Sequence, residues 1–254
     1  MARYQAILAY DGTDFKGFQR QAGKTEKRTV QSVFEAALKD IGWTGRAVLS
    51  AGRTDTGVHA SGQVAAFDLE WQHPADQLLA ALNANLPSDI VVREVQAVPP
   101  GFHPRYDAVC RSYEYRLFAD PVRDPRRERY AWRIWPDVNL ERMHTGTSYL
   151  PGTHDFRSFG KAPHSGGSTI RSIYQADWHI DHQDFIFEIR GSGFLYRMVR
   201  KLVGFLVEIG QERFEPETMK VLLQEKSPES VKSIAPAHGL TLVAVEYESK
   251  KLEQ

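Results

Sequence analysis

Arg46-Ala47-Val48-Leu49-Ser50-Ala51-Gly52-Arg53-Thr54-Asp55-Thr56-Gly57-Val58-His59-Ala60-Ser61-Gly62-Gln63-Val64-Ala65-Ala66-Phe67-Asp68-Leu69 decides how the chain folds. Its ends read as two consecutive strands. Arg46–Ser50 is short, and Gly62–Leu69 alternates Val64, Ala66 and Asp68 against Ala65, Phe67 and Leu69, the period of two that a strand imposes. Upstream, Val30–Ile41 places Val30, Val33, Phe34, Ala37 and Leu38 at helical spacings, with Thr29 as its cap. Arg3–Tyr10 precedes it as a strand. Downstream, Pro74–Leu82 reads as a helix with Pro74 in its first turn. Ile90–Val98 is a strand that ends at Pro99-Pro100-Gly101. Strand, helix, strand, strand, helix, strand is the split βαβ, ferredoxin-like order.

The second half repeats that order loosely, with insertions. Asp107–Phe118 is a strand with Tyr113 and Tyr115 on one face, and Asn139–Tyr149 is a helix. Thr169–Ile180 and Asp184–Arg190 are strands around a hairpin turn at Asp181-His182-Gln183. A long helix from about Leu195 to Ile209 carries an apolar stripe of Leu195, Met198, Val199, Leu202, Val203 and Leu206. Pro216–Gln224 is a further helix, Leu240–Glu248 a closing strand, and Pro151–Ser168 a long loop. The expected fold is α+β: two ferredoxin-like (βαββαβ) lobes, residues 1–105 and 106–254. The Asp55 loop belongs to the first lobe.

Composition bounds the function. The chain has 254 residues, 42% of them hydrophobic, enough for a sizeable core. Lys and Arg number 32, as do Asp and Glu. A formal charge of zero excludes a uniformly basic coat but permits a basic groove balanced elsewhere. The single cysteine, Cys110, permits no internal disulfide and no cysteine-rich zinc site, which points to a reducing, cytoplasmic setting. The N-terminal residues read as neither a signal peptide nor a membrane span, and the apolar region 194–209 is interrupted by Arg197, Arg200 and Lys201.

The connection between the two consecutive strands is about nine residues long, where two to five would close a hairpin. Excess loop on a rigid scaffold is where sites sit. Asp55 stands there with Gly52 three residues before it and Gly57 two after, glycines that permit turns and close approach. On the residues alone, an Asx-turn and a reacting carboxylate remain equal alternatives.

Gly52-Arg53-Thr54-Asp55-Thr56-Gly57-Val58-His59 resembles the active-site motif of the tRNA pseudouridine synthase A family. Further matches span most of the chain: Tyr10-Asp11-Gly12-Thr13 with Phe15, Gly17, Gln19 and Gln21; Thr29-Val30-Gln31; Asn83-Ala84-Asn85-Leu86-Pro87 with Asp89-Ile90; Phe102-His103 with Arg105, Ala108, Arg111, Tyr113 and Tyr115; His154-Asp155-Phe156 with Phe159; and Gly193-Phe194-Leu195-Tyr196 with Met198-Val199-Arg200 and Val203-Gly204. The stretch Lys24–Arg28 departs from the pattern in being longer and more charged.

The resemblance implies an isomerase that converts uridine to pseudouridine at positions 38–40 in the anticodon stem-loop of tRNA, acting as a homodimer, with the sheets of its two lobes meeting at a central catalytic cleft. It implies Asp55 as the catalytic carboxylate acting on a flipped-out nucleotide. Addition of Asp55 to the sugar and deprotonation of the sugar to a glycal both remain open. Tyr113 is implied as the contact of the target uracil, Arg53 as a residue that moves and replaces the target nucleotide, Arg200 as the ion-pair partner of Asp55, and Leu195 as apolar packing beside the base. At 100° per residue, Arg200 lies about 130° from the centre of the apolar stripe, where a solvated arginine is the ordinary alternative. Tyr113 and Leu195 are equally ordinary as strand and core residues, and His59 reads as structural.

Breaking and remaking the bond between uracil and ribose needs no redox step or group donor, and the expectation is no cofactor and no metal. Two cationic clusters suit RNA: Arg190, Arg197, Arg200 and Lys201 within 190–201, and Lys16, Arg20, Lys24, Lys27 and Arg28 against Glu26 within 16–28, the latter interleaved with Phe15 and Phe18. A non-catalytic RNA-binding protein of ferredoxin-like fold is the alternative reading, although no paired RNP-type aromatics occur. A metal hydrolase is disfavoured because the nine histidines are scattered without a ligand motif. A glycosidase is disfavoured because only one carboxylate stands out.

Overall fold

The computed structural model describes residues 1–21, 27–162, 164, 166–225, 227, 228, 230–249 and 252. The fold is mixed α/β, and the chain divides into two compact units: residues 1–109 with 242–254, and residues 110–241.

The first unit runs β1 (Ala2–Tyr10), α1 (Val30–Asp40), β2 (Leu49–Ser50), β3 (His59–Leu69), α2 (Ala75–Ala84) and β4 (Ile90–Val98). β1 is antiparallel to both β4 and β3, and β3 carries β2 on its other edge. α1 begins in a capping box in which Thr29 and Ser32 satisfy each other's backbone N–H groups, worth about 1 kcal/mol. Its inner face buries Phe34 against Phe67 at 5.8 Å between ring centroids. That face also buries Glu35, whose carboxylate accepts from Gln31 Nε2 and the Val48 N–H and pairs with Arg20 at 3.1 Å. A buried carboxylate is tolerable when it is satisfied in this way. The Val48 N–H is thus committed to a helix side chain, and β2 starts only at Leu49, later than the expected Arg46.

The second unit contains β5 (Ala108–Ala119), β6 (Trp132–Ile134), α3 (Leu140–Thr147), β7 (Gly152–Asp155), β8 (Ile170–Asp181), β9 (Asp184–Gly191), α4 (Met198–Gly210) and α5 (Thr218–Gln224). Its antiparallel order is β5-β9-β8-β7, with β6 parallel to β5. β6 was not expected, and β7 falls in the stretch 151–168 expected to be loop. α4 is buried nearly all round, Lys201 included, so the expected one-sided stripe is instead a core helix. It starts at Met198 because Arg197 adopts φ 61°, the left-handed region; Leu195 therefore precedes the helix.

The last strand, β10 (Leu240–Tyr247), pairs with β3. Residues 242–254, expected in the second lobe, group with the first unit for that reason. Gly62 marks the approach: a Cβ there would lie 2.1 Å from the Val243 carbonyl oxygen.

Candidate active site

Asp55 lies half-buried in the connection Ala51–Val58 between β2 and β3. The connection is anchored along its length. The Ala51 N–H donates to the Val64 carbonyl at 2.9 Å. Gln63, fully buried, donates Nε2 to the Gly52 carbonyl and accepts at Oε1 from the Val64 N–H, each at 3.1 Å. Thr54 is buried, shares a 2.8 Å hydrogen bond between its Oγ1 and the Tyr10 hydroxyl, and accepts at its carbonyl from the Phe18 N–H at 3.0 Å. The Val58 N–H donates to the Asp55 carbonyl at 3.1 Å, closing a turn with Gly57 at φ 80°. A positive φ at that place in a turn favours glycine. Gly52, by contrast, has open space where a Cβ would be. Of the two glycines flanking Asp55, only Gly57 is required by the backbone. Arg53, two residues before Asp55, is exposed.

The opening segment of the chain forms the wall of this loop. The Gly12 N–H donates to His59 Nδ1 at 3.0 Å. The Asp11 carboxylate lies 3.2 Å from the same nitrogen. A Cβ on Gly12 would lie 2.0 Å from the Val58 carbonyl oxygen, and one on Gly17, which adopts φ 86°, would lie 3.0 Å from that of Thr54. His59 is 5% exposed.

The second unit positions the remaining expected residues. Tyr113 sits on β5 opposite Ile189 of β9, half-exposed, with its ring edge-on to Phe194 at 5.1 Å between centroids. Phe194 lies in the Gly193-Phe194-Leu195-Tyr196 segment. Its T-shaped contact, worth about 0.5–1.5 kcal/mol, holds the Tyr113 ring. Leu195 is buried, and a Cβ on Gly160 would come within 2.8 Å of it. Arg200, in the first turn of α4, is half-buried rather than solvated. Its Nε donates to the Ala235 carbonyl at 2.8 Å, and the Ala235 N–H donates back to the Arg200 carbonyl at 2.9 Å. Arg200 also acts on Tyr115. Burial pushes the Tyr115 hydroxyl well above its ordinary range, and the guanidinium charge pulls the other way. The Tyr115 hydroxyl donates to the Pro236 carbonyl at 2.9 Å.

The cationic clusters are not the faces expected. Arg190 and Arg197 are exposed, but Lys201 is 8% exposed. Arg28 is held bidentately by Asp89 at 2.8 Å and lies over the Phe15 ring at 4.2 Å. Lys24 lies outside the described residues. Phe15 and Phe18 are each 1% exposed, so they belong to the core and cannot stack on bases. Among the described residues, no group of three or more His, Cys, Asp or Glu side chains is placed to hold a metal ion, and no helix is long and apolar enough to cross a membrane.

A family model described as tRNA pseudouridine synthase matches residues 6–107 and 147–248. Curated relatives named tRNA pseudouridine synthase A align along almost the whole chain. The protein of Shouchella clausii is 42% identical over 97% of this chain and 94% of its own, and that of Geobacillus kaustophilus is 42% identical over 98% and 96%. That of Limosilactobacillus fermentum is 40% identical over 98% and 97%. Overlap with solved structures is weaker: an archaeal box H/ACA sRNP chain gives a TM-score of 0.36 at 14% identity, over 80% of this chain and 44% of that one. Two matched segments that together span most of the sequence, and identities near 40% from end to end, place this chain in the tRNA pseudouridine synthase family.

Proposed function

We propose that this enzyme converts uridine to pseudouridine at positions 38–40 of the tRNA anticodon stem-loop, with Asp55 as the reacting carboxylate. The observation that carries the reading is the anchoring of the Asp55 turn. Thr54 before it and Val58 after it are fixed by backbone and buried polar partners, which leaves a half-buried carboxylate on a backbone that does not need to reorganise during reaction. Preorganisation of this kind is how one carboxylate reaches a flipped-out nucleotide in a reactive pose. A carboxylate acts here as nucleophile on the sugar or as base toward it, and the uracil is then rejoined through carbon. Atoms and oxidation state balance without a donor, and the reading includes no cofactor and no metal.

In this reading Tyr113 contacts the uracil, its ring steadied by Phe194. Arg53 displaces and replaces the target nucleotide, for which its exposure suits it. Arg200 supplies the charge that keeps Asp55 ionised, and Leu195 packs beside the base. The proposed architecture is two ferredoxin-like lobes. It is supported in the first unit by the strand order β4-β1-β3-β2 and in the second by β5-β9-β8 with α3 and α4 between strands. The enzyme works as a homodimer in the cytoplasm, where the buried free thiol of Cys110 is at home. No observation favours a non-catalytic RNA-binding role.

The test is Asp55→Asn, which preserves shape and removes charge. Tritium release from uracil-labelled tRNA is expected to fall by several orders of magnitude while tRNA binding and melting stay close to those of the parent. Activity within tenfold of the parent overturns the assignment, and mapping of pseudouridine outside 38–40 overturns the site of action.

A further inference from the structure

The second unit holds a concavity of about 360 Å³, walled by Trp132, Arg133, Trp135, Glu208, Gln211 and Arg213 among others. Its four β6-side residues, 132–135, fall between the two segments that the family model matches. They end a stretch, Arg123–Trp135, that holds five arginines against two acids and interleaves them with Tyr130, Trp132 and Trp135. Trp135 is 58% exposed and Tyr130 49%. Large aromatics left in water beside a cavity mark a place where something flat is expected to lie.

The cations around it are of two kinds. Arg133 is preset: its Nη1 donates to the Asp120 carbonyl at 2.9 Å and its Nε lies 3.2 Å from Glu128. Arg213 is exposed and makes no side-chain hydrogen bond or ion pair among the described residues. Aromatic faces beside arginines are the combination that binds single-stranded nucleic acid, the ring stacking on a base and the guanidinium meeting phosphate. Glu208 refines the ligand. A carboxylate repels a bare anion but accepts from the exocyclic amine of a base. Gln211 donates its amide to the Pro136 carbonyl, which holds the chain next to Trp135 in place.

We propose that this concavity is a second nucleotide subsite for the tRNA substrate, apart from the reacting uridine. One amine-bearing base stacks on Trp135, and Arg133 and Arg213 hold its phosphate. The inference rests on tRNA being the substrate. It also offers a formally neutral protein local positive charge for a polyanion, which the buried Lys201 and the Asp89-bound Arg28 supply poorly.

The experiment uses the full chain with CMP, ribose 5-phosphate and inorganic phosphate as probes, followed by whole tRNA. CMP is expected to quench tryptophan emission saturably in the parent and not in Trp135→Ala, whereas ribose 5-phosphate and phosphate quench far less. Trp135→Ala should raise KM and Kd for tRNA by about fivefold or more, as loss of one base stack does, with kcat unchanged. Trp135→Phe should restore binding. Arg213→Ala should lower the slope of log Kd against log salt by about one. Trp135 is exposed, so the Ala variant should melt normally. A normally melting Trp135→Ala with parental tRNA affinity overturns the proposal. Equal quenching by CMP and phosphate also overturns it, as does a change of oligomeric state without a change in tRNA affinity, which would assign the face to a second copy of the chain. A parent enzyme that binds tRNA but forms no pseudouridine overturns the activity instead, and leaves the binding comparison intact.

Discussion

Two regions hold the side chains of the candidate site still by different physics. In the loop 51–58 the anchors are polar and mostly backbone: Tyr10 to Thr54, Phe18 to Thr54, Gly12 to His59, and Gln63 to Gly52. In the stretch 193–200 the anchors are mostly packing contacts: Phe194 against Tyr113, Leu195 against Gly160, and a helix buried almost all round. The second region also carries strain, since Arg197 sits at φ 61° without being glycine, at a cost of about 1 kcal/mol. Directional bonds fix a turn to fractions of an ångström but tolerate no inserted atom. Packing fixes a ring plane and a helix register and tolerates modest changes of polarity.

The sharpest way to break that contrast is one methyl group. Gly12→Ala puts a Cβ 2.0 Å from the Val58 carbonyl oxygen, where backbone must move. It is expected to cost about 1–3 kcal/mol of stability and, by displacing the Asp55 turn, about a hundredfold in kcat. Gly52→Ala, with open space around its Cβ, should leave both near the parental values. Calorimetry and single-turnover kinetics on the pair check it, and equal behaviour of the two variants removes the anchoring argument.

In the packed region the matching change is milder. Tyr113→Phe keeps the ring on Phe194 and deletes only the hydroxyl. A substrate contact predicts a rate lowered by about two- to tenfold, the scale of one hydrogen bond, with the melting temperature unchanged. A fall in melting temperature with normal turnover would make Tyr113 a structural strand residue.

The smallest effect lies at alkaline pH, behind Tyr113. Burial raises the Tyr115 hydroxyl well above its ordinary value near 10, against the opposing charge of Arg200. The fold therefore favours neutral Tyr115. That contribution is complete below pH 10 and is lost as pH rises from 10 through the folded-state value, because only the unfolded chain ionises there. The melting temperature of the parent should fall more steeply between pH 9 and 11 than that of Tyr115→Phe, which also forfeits the Pro236 hydrogen bond. Parallel melting curves would show that Tyr115 is not the titrating group.

Much of the fold was legible because local signals are strong where one face must be apolar. β1, α1 with its Thr29 cap, β4, β5 and the β8–β9 hairpin lie within one or two residues of where their periodicity places them. β6 and β7 were not, because three- and four-residue strands are too short to display a period. α4 was misread as one-sided because a helix's environment is set by what packs on it, not by its own pattern. Phe15 and Phe18 illustrate the same limit: aromatics among lysines and arginines read as a nucleic-acid surface, yet both turn inward.

By itself the sequence determined the family, and it set Asp55 between two glycines inside the matched segment, since these reside in residue types at fixed spacing along one stretch of chain. Tertiary structure alone decided which charges remain available and which neighbours set the site. Glu35 consumes Arg20, Asp89 consumes Arg28, and burial removes Lys201 from the surface. It also set residue 12 so close to residue 58 that a Cβ has no room there, and carried β10 back to β3 across about 170 residues of chain. Pairings of that kind are closed by packing between segments distant in sequence. No local pattern encodes them, because their free energy comes from surfaces that exist only once the elements have met.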